Sequence, residues 1–245
     1  MVAVYSFESP LVRIDFLNGR LSVDNKEVRT TPLEARFVFF LALDAGGASR
    51  EELCDEFFAD SADARNALKV LVYRLREKLG RHSAIRYSDG RYALDHDPMQ
   101  ELREIERDVL GADDSVELDG DSRARFESYR DRLRESRPGA LLDQPWFERV
   151  EWRLRQLQYA VSVRLGRDAL ARGDGGSALD IVAPLIELGA LDEEATEIHM
   201  RAQLLLGNPA AALAHYDRYA AELQRELDTL PSESLRIFAD TLRSA

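Results

Sequence analysis

The sequence predicts an α+β domain at the N-terminus followed by an all-α domain of helical repeats. Three features support this prediction. The first thirty residues alternate apolar and polar residues in short runs, residues 31–95 contain three capped amphipathic helices and a hairpin signal, and helical periodicity continues from there to the end. We expect one domain of residues 1–95 and a second of residues 96–245.

The acidity of the chain belongs to its second half. The chain carries 33 Lys and Arg against 45 Asp and Glu, a net charge of −12, yet residues 1–95 have a net charge of −1 and residues 65–91 have a net charge of +6. Binding to DNA requires Lys and Arg side chains that neutralise phosphates. A nucleic-acid partner is therefore expected at residues 65–91, whereas the acidic second half is not expected to lie along DNA.

Several classes of protein are excluded by what the sequence lacks. It has no apolar run near the roughly 20 residues that a membrane-spanning helix needs, and its first residues do not resemble a signal peptide. Its single cysteine, Cys54, excludes an internal disulfide and a multi-cysteine metal site. Glycine-rich phosphate loops and common hydrolase motifs are missing. We expect a cytoplasmic protein that is not an enzyme and has no membrane, metal or cofactor partner.

The N-terminal runs VAVYSF, LVRIDFL, RLSV and KEVR are separated by turn residues, which predicts a small antiparallel meander. The next segment, Thr31-Pro32-Leu33-Glu34, has the residue types of a capping box with proline at the first helical position. This helix is predicted to end at Gly46-Gly47. Ser49 and Glu52 repeat the capping-box spacing and predict a second, short helix.

A third helix is predicted from about Ala62 to Leu79, ending at Gly80. The runs SAIRYS and RYALD then flank Asp89-Gly90, which is a strong hairpin signal. The order of strands, three helices and a hairpin is that of a winged helix, in which the third helix enters a DNA groove and the hairpin is the wing.

The third helix has one apolar stripe, which is predicted to face the core and consists of Leu68, Leu71, Val72, Leu75 and Leu79. The residues predicted to point outward are Asn66, Lys69, Val70, Tyr73, Arg74 and Glu77, with Arg65 flanking them, and of these Arg65, Asn66, Lys69, Val70, Tyr73 and Arg74 are the predicted DNA-binding residues. Those placed better for phosphates are Arg76 and Lys78 on the helix and Arg86 and Arg91 on the hairpin. Tyr87 and Tyr92 are expected to pack the hairpin against the helices.

A charged helical face is more often a solvated surface than a binding site. The capped helices before it and the hairpin after it favour the DNA-binding interpretation. The alternative is an adaptor in which the winged helix is a protein-docking module that does not bind DNA.

Beyond residue 96 every predicted element is a helix, over about residues 97–110, 121–136, 145–172, 175–188, 192–206, 209–226 and 232–243. Gly173 and Gly207 lie 34 residues apart, and so do Ala178 and Ala212. This spacing is the tetratricopeptide period, which predicts stacked helix pairs with a partner-binding surface. His199 and His215 within these repeats are interpreted as packed or surface residues, and Trp146 as a core anchor.

The sequence resembles a known family. TPLEARFVFFLALDAGGASREELCDEFF, ARNALKVLVYRLREKLG and IRYSDGRYALD resemble the OmpR/PhoB-type DNA-binding domain in the version found in Streptomyces antibiotic regulatory proteins (SARPs). RPGALLDQPWFERVEWRLRQLQ, LDEEATEIHMRAQLLLGNPAAALAHYDRYAAEL and LPSESLRIF resemble the bacterial transcriptional activator domain that follows it there.

The resemblance implies a regulator that binds repeated sites in double-stranded DNA and activates transcription by contacting RNA polymerase. By position, it assigns DNA contacts to Arg65, Asn66, Lys69, Tyr73, Arg74, Arg76 and Arg86. Tyr73 and Ala67 depart from residues common among relatives, so the sequence of the DNA site does not transfer. Because one winged helix reads few base pairs, we expect a homodimer at least on DNA.

Overall fold

The computed structural model describes residues 12–15, 20–23, 26–44, 46–80, 84–95, 100–111, 117–134, 144–187 and 191–244. By their contacts, the residues of the chain group into two compact units. The first comprises residues 1–106 and 135–153, and the second comprises residues 107–134 and 154–245. Within the described ranges, none of the helices has the length and apolar character needed to span a membrane.

The first unit begins with a three-stranded antiparallel sheet of β1 (Val12–Asp15), β2 (Arg20–Val23) and β3 (Lys26–Glu27) in that order. Val12 pairs with Val23, and Ser22 pairs with Glu27. The predicted meander is therefore confirmed for these strands. The VAVYSF run and the turns at residues 18–19 and 24–25 lie outside the described residues.

Three helices follow, α1 (Pro32–Ala42), α2 (Arg50–Phe58) and α3 (Ala64–Lys78). They are accompanied by a second antiparallel sheet of β4 (Ala48–Ser49), β5 (Ile85–Ser88) and β6 (Arg91–Leu94), in the order β4-β6-β5. Both predicted capping boxes are present, at Thr31 with Glu34 and at Ser49 with Glu52. Helix α3 begins two residues later than predicted because the Asp63 carboxylate caps it, accepting a hydrogen bond from the Asn66 N–H at 3.0 Å.

The core of the first unit lies between these helices and the second sheet. Its fully buried large side chains include Phe37, Phe39, Leu41, Leu53, Leu68, Leu75, Leu79 and Ile85. Gly47, between α1 and β4, has a φ of +68°, and a Cβ atom there would lie 1.9 Å from the Tyr92 carbonyl oxygen. The chain can pass this close to β6 only because residue 47 has no side chain.

The rest of the chain is helical in the residues that the structure describes. The helices are α4 (Gln100–Leu110), α5 (Gly120–Arg134), α6 (Glu148–Ala171), α7 (Gly175–Glu187), α8 (Glu193–Leu205), α9 (Pro209–Leu227) and α10 (Glu233–Ser244). All seven helices predicted after residue 96 are confirmed, with ends within about three residues of those expected. Residues 145–147 form a 3-10 turn before α6 rather than its first α-helical turn.

The 34-residue period of the sequence recurs in the backbone of the second unit. Gly173 and Gly207 both have a φ of +75°. In each case the next residue donates a hydrogen bond five residues back, from Asp174 to Ala169 and from Asn208 to Gln203, both at 2.9 Å. Ala178 and Ala212, one turn into the following helices, are completely buried. These two helix ends therefore have the same geometry, as expected for a structural repeat.

Asp168 on α6 is a buried carboxylate at the centre of a polar network. It accepts hydrogen bonds from the Arg123 guanidinium at 2.7 Å, from Arg172 at 3.1 Å and from the Leu118 N–H at 3.1 Å. Burial alone raises the pKa of Asp168, but these hydrogen bonds more than offset burial and hold the pKa below its ordinary value. The network joins the start of α5 to the end of α6.

His199 on α8 and His215 on α9 form a stacked pair, with ring centroids 3.9 Å apart and planes inclined by 31°. His215 is buried, and its Nδ1 lies 3.0 Å from the Arg218 guanidinium. Because arginine can only donate, Nδ1 must accept this hydrogen bond, which requires a neutral imidazole. The interpretation of His215 as a packed residue is confirmed.

Candidate nucleic-acid interface

Helix α3 is fixed to the first unit by one side and exposed on the other. Leu68, Leu71, Val72 and Leu75 are buried, as predicted from the apolar stripe, and Leu79 is buried at the C-cap. Gly80 follows with a φ of +83°, a left-handed conformation that glycine adopts without strain. The helix is therefore a rigid element whose outer side is available to a partner.

The outer side of α3 carries the residues predicted to read bases, and all of them are exposed. We call this set the α3 outer face, and it consists of Arg65, Asn66, Lys69, Val70, Tyr73 and Arg74. Tyr73 is 59% exposed and Val70 is 40% exposed, so both side chains are accessible to a partner.

The cations of the α3 outer face are not neutralised within the described part of the chain. Arg65, Lys69 and Arg74 make no ion pair with any described residue. Cations that lack a partner keep their full attraction for phosphates and for the oxygen and nitrogen acceptors of base edges. In the same set, Asn66 can form paired hydrogen bonds with adenine, and Val70 can contact a thymine methyl group.

Arg76, expected to contact phosphate, lies beside the hairpin instead of on the outer face. Its Nε and Nη2 atoms donate to the Ile85 carbonyl oxygen at 3.0 and 2.6 Å. These bonds hold the start of β5 against α3. Arg76 therefore has a structural contact in addition to its predicted role.

Lys78, also expected to contact phosphate, forms an ion pair with Glu34 of α1 at 2.6 Å. Burial raises the pKa of Glu34, but the hydrogen bonds from Lys78 and Thr31 have the larger combined effect and lower it below its ordinary value. The ammonium group of Lys78 is thus partly neutralised, and it connects the last turn of α3 to the first turn of α1.

The hairpin β5–β6 turns at Asp89 and Gly90, both with positive φ, as expected for this dipeptide. Arg86 forms an ion pair with Asp95 at 2.9 Å. Arg91 donates to the carbonyl oxygens of Gly46 and Gly47 at 3.2 and 2.5 Å, which fixes the turn before β4. Both hairpin cations named in the sequence prediction therefore have partners within the first unit.

The hairpin is held to α2 by a residue that the sequence prediction missed. Arg50, the first residue of α2, donates to the Tyr87 hydroxyl and lies with its guanidinium carbon 5.0 Å from the centre of that ring. Tyr87 in turn packs against the buried Tyr92, with ring centroids 4.5 Å apart. Tyr87 therefore contacts α2 as expected, whereas Tyr92 is buried and in ring contact with Tyr87. In the sequence, Arg50 is only a cation within the Ser49–Glu52 capping box, and nothing there indicates its contact with Tyr87.

The ten predicted residues thus separate into two groups. Arg65, Asn66, Lys69, Val70, Tyr73 and Arg74 form one exposed surface on α3. The charged groups of Arg76, Lys78, Arg86 and Arg91 instead bind other elements of the first unit and hold them together. This arrangement offers cations, an amide and two apolar side chains on one helical face, which is the combination that reads a major groove.

Comparison with known proteins adds family information to this geometry. No curated protein matches the chain significantly. The structure of Mycobacterium tuberculosis EmbR in complex with a low affinity phosphopeptide is similar in fold, with a TM-score of 0.69 at 18% sequence identity. That match covers 95% of this chain and 65% of the EmbR chain, so this chain spans less than two thirds of the EmbR chain.

The model of the bacterial transcriptional activator domain matches residues 117–243. The matched residues make up more than half of the chain and include α5 to α10. The chain therefore belongs to the bacterial transcriptional activator domain family.

Proposed function

We propose that this chain is a sequence-specific DNA-binding transcriptional regulator whose α3 outer face enters the major groove. The observation that carries the proposal is the set of exposed cations Arg65, Lys69 and Arg74, which lack ion-pair partners among the described residues. In this proposal the first unit is a winged helix of the OmpR/PhoB type, with α3 as the groove helix and β5–β6 as the wing.

The remaining parts of the chain have roles in the same proposal. The helical repeats, which we interpret as tetratricopeptide-like, contact RNA polymerase and mediate self-association, so that the regulator acts as an activator. Two copies bind DNA together, because a single winged helix reads too few base pairs for useful specificity. We also propose that the DNA-binding domain ends near residue 95, where the helical domain begins.

The test uses a charge reversal on the α3 outer face. Bound fragments are first selected from sheared genomic DNA with the full chain, and a selected fragment is used in a gel-shift titration. We expect Lys69→Glu with Arg74→Glu to abolish binding while the circular dichroism spectrum stays unchanged. Two cations facing phosphates or base edges become two anions, and the effect on a polyanion is large.

The matched control is Arg225→Glu with Arg236→Glu, which makes the same change of charge on exposed positions of α9 and α10. We expect this control to bind as the unchanged chain does. Equal losses in the two double variants would show that only net charge matters and would contradict the groove assignment.

Salt dependence separates this proposal from the adaptor alternative. DNA binding through several phosphate contacts weakens steeply with salt, with a slope of about −0.9 per neutralised phosphate in a double-logarithmic plot. An adaptor that does not bind DNA would show no affinity for the selected fragments even at low ionic strength. That result would overturn the proposed function.

A further inference from the structure

The first unit contains a half-enclosed cavity of about 490 Å³ that is separate from the α3 outer face. It lies between the end of α1, the turn before β4 and residues 146–153. Its apolar wall is formed by Phe40, Leu43, Trp146 and Val150. A volume of this size is within the range of about 300–1,000 Å³ that small-molecule sites occupy.

The indole ring of Trp146 forms part of this wall. The Nε1 atom of Trp146 is buried and has no hydrogen-bond partner among the described residues. The indole ring is held edge-on against Phe40, with ring centroids 5.6 Å apart.

The rim of the cavity carries two carboxylates, Asp44 and Glu52, and three arginines that differ in their partners. Arg91 donates to backbone carbonyl oxygens, and Arg153 is paired with Glu106. Arg149 is exposed and makes no ion pair with any residue that the structure describes. One cation is therefore available to an incoming anion beside the apolar wall.

We propose that this cavity binds a small amphipathic anion. The ring system of the ligand packs between Phe40, Trp146 and Val150, and its anionic group pairs with Arg149. Aromatic walls with a few convergent polar groups are the usual composition of such a site. This binding would add to the proposed DNA contacts and does not depend on them.

The test uses two fluorescent probes that differ by one charged group. They are 8-anilinonaphthalene-1-sulfonate and its uncharged counterpart, N-phenyl-1-naphthylamine. Trp152, which is 65% exposed, is first replaced by phenylalanine so that Trp146 is the single tryptophan of the full chain. We expect the sulfonate to quench Trp146 emission by energy transfer and to bind about tenfold more tightly than the uncharged probe.

Two variants locate the site within the Trp152→Phe chain. Arg149→Ala is expected to remove the roughly tenfold preference for the sulfonate while leaving the uncharged probe unaffected. Leu43→Phe, which fills the cavity from a half-buried position, is expected to weaken both probes. Arg236→Ala is the matched control on α10 and should change neither affinity. Circular dichroism identifies any variant that fails to fold.

The proposal is overturned by any of three results with folded protein. These are an absence of quenching of Trp146, equal affinities for the two probes in the unchanged cavity, and a sulfonate preference that survives Arg149→Ala. Quenching that Leu43→Phe does not weaken would likewise place the probe outside the cavity. Each measurement is made without DNA, so its outcome is independent of the proposed function.

Discussion

The stacked histidines predict how the stability of the second unit responds to acid. Burial, followed by repulsion from His199 and Arg218, lowers the pKa of His215 from 6.5 to about 4. The His215 ring is 5% exposed, so solvent screens this effect little. Between these two pH values the unfolded chain binds a proton at residue 215 that the folded chain does not.

The size of the effect follows from the difference between the two pKa values. A gap of roughly 2.5 pH units, at about 1.36 kcal/mol for each unit, amounts to about 3 kcal/mol. Since the folded-state pKa of His215 is the lower one, the free energy of unfolding decreases as the pH falls from about 6.5 to about 4. Above this window, the contribution of His215 to stability is constant.

The variant His215→Phe keeps an aromatic ring beside His199 and removes the titration. Urea unfolding followed by circular dichroism, on the unchanged chain and on the variant, gives the free energy of unfolding at several pH values. We expect the unchanged chain to lose about 3 kcal/mol more than the variant between about pH 7 and pH 4. Acid titration of carboxylates affects both chains, so it cancels in the difference.

Two results would refute the reasoning. One is a pair of parallel stability curves, which would mean that the pKa of His215 is the same in the folded and unfolded states. The other is an NMR titration in which the His215 ring protonates near pH 6.5 in the folded chain. Either result would show that the ring is accessible to water and that its stacking does not suppress its charge.

Three further predictions concern single positions. Asp168→Asn should lower the free energy of unfolding by about 2 kcal/mol in urea titrations, because it leaves two partly exposed guanidinium groups without their buried counter-charge; an unchanged urea midpoint would count against the network. Gly47→Ala should lower the melting temperature far more than Gly80→Ala, because a Cβ at residue 47 meets the Tyr92 carbonyl whereas one at residue 80 meets open space; equal shifts would contradict this. Replacing thymine by deoxyuridine in the selected DNA should weaken binding about fourfold, from a methyl contact of about 0.8 kcal/mol, and Val70→Ala should abolish that sensitivity; a discrimination that persists in the variant would exclude Val70 as the reader.

The parts of the fold that depend on neighbouring residues could be predicted from the sequence. Both capping boxes join residues only three positions apart, Thr31 with Glu34 and Ser49 with Glu52, so their residue types define the helix starts. The core stripe of α3 follows in the same way from a local period. The start of α3 was predicted at about Ala62 and lies two residues later, since the Asp63 side chain caps the helix and the helix begins after it.

The partners of the hairpin cations could not be predicted, because they depend on tertiary structure. Arg91 contacts carbonyl oxygens 44 and 45 positions away, and no local pattern specifies which cations will meet a free backbone acceptor. The same reason explains the histidine pair. His199 and His215 lie on different helices, and the packing of α8 against α9 decides whether they meet. The exposure of residues such as Tyr73 was easier to predict, since the helical period alone shows which side chains point away from the core.

The hydrogen bond from Arg76 to the Ile85 carbonyl oxygen holds the hairpin at a fixed distance from α3. If the helix occupies one groove and the hairpin touches the neighbouring one, the distance between their two points of contact is set by the protein rather than by the DNA. A target with one base pair inserted between those points would then have to be overtwisted or bent to fit. Spacing, as well as base identity, would become part of what the regulator reads.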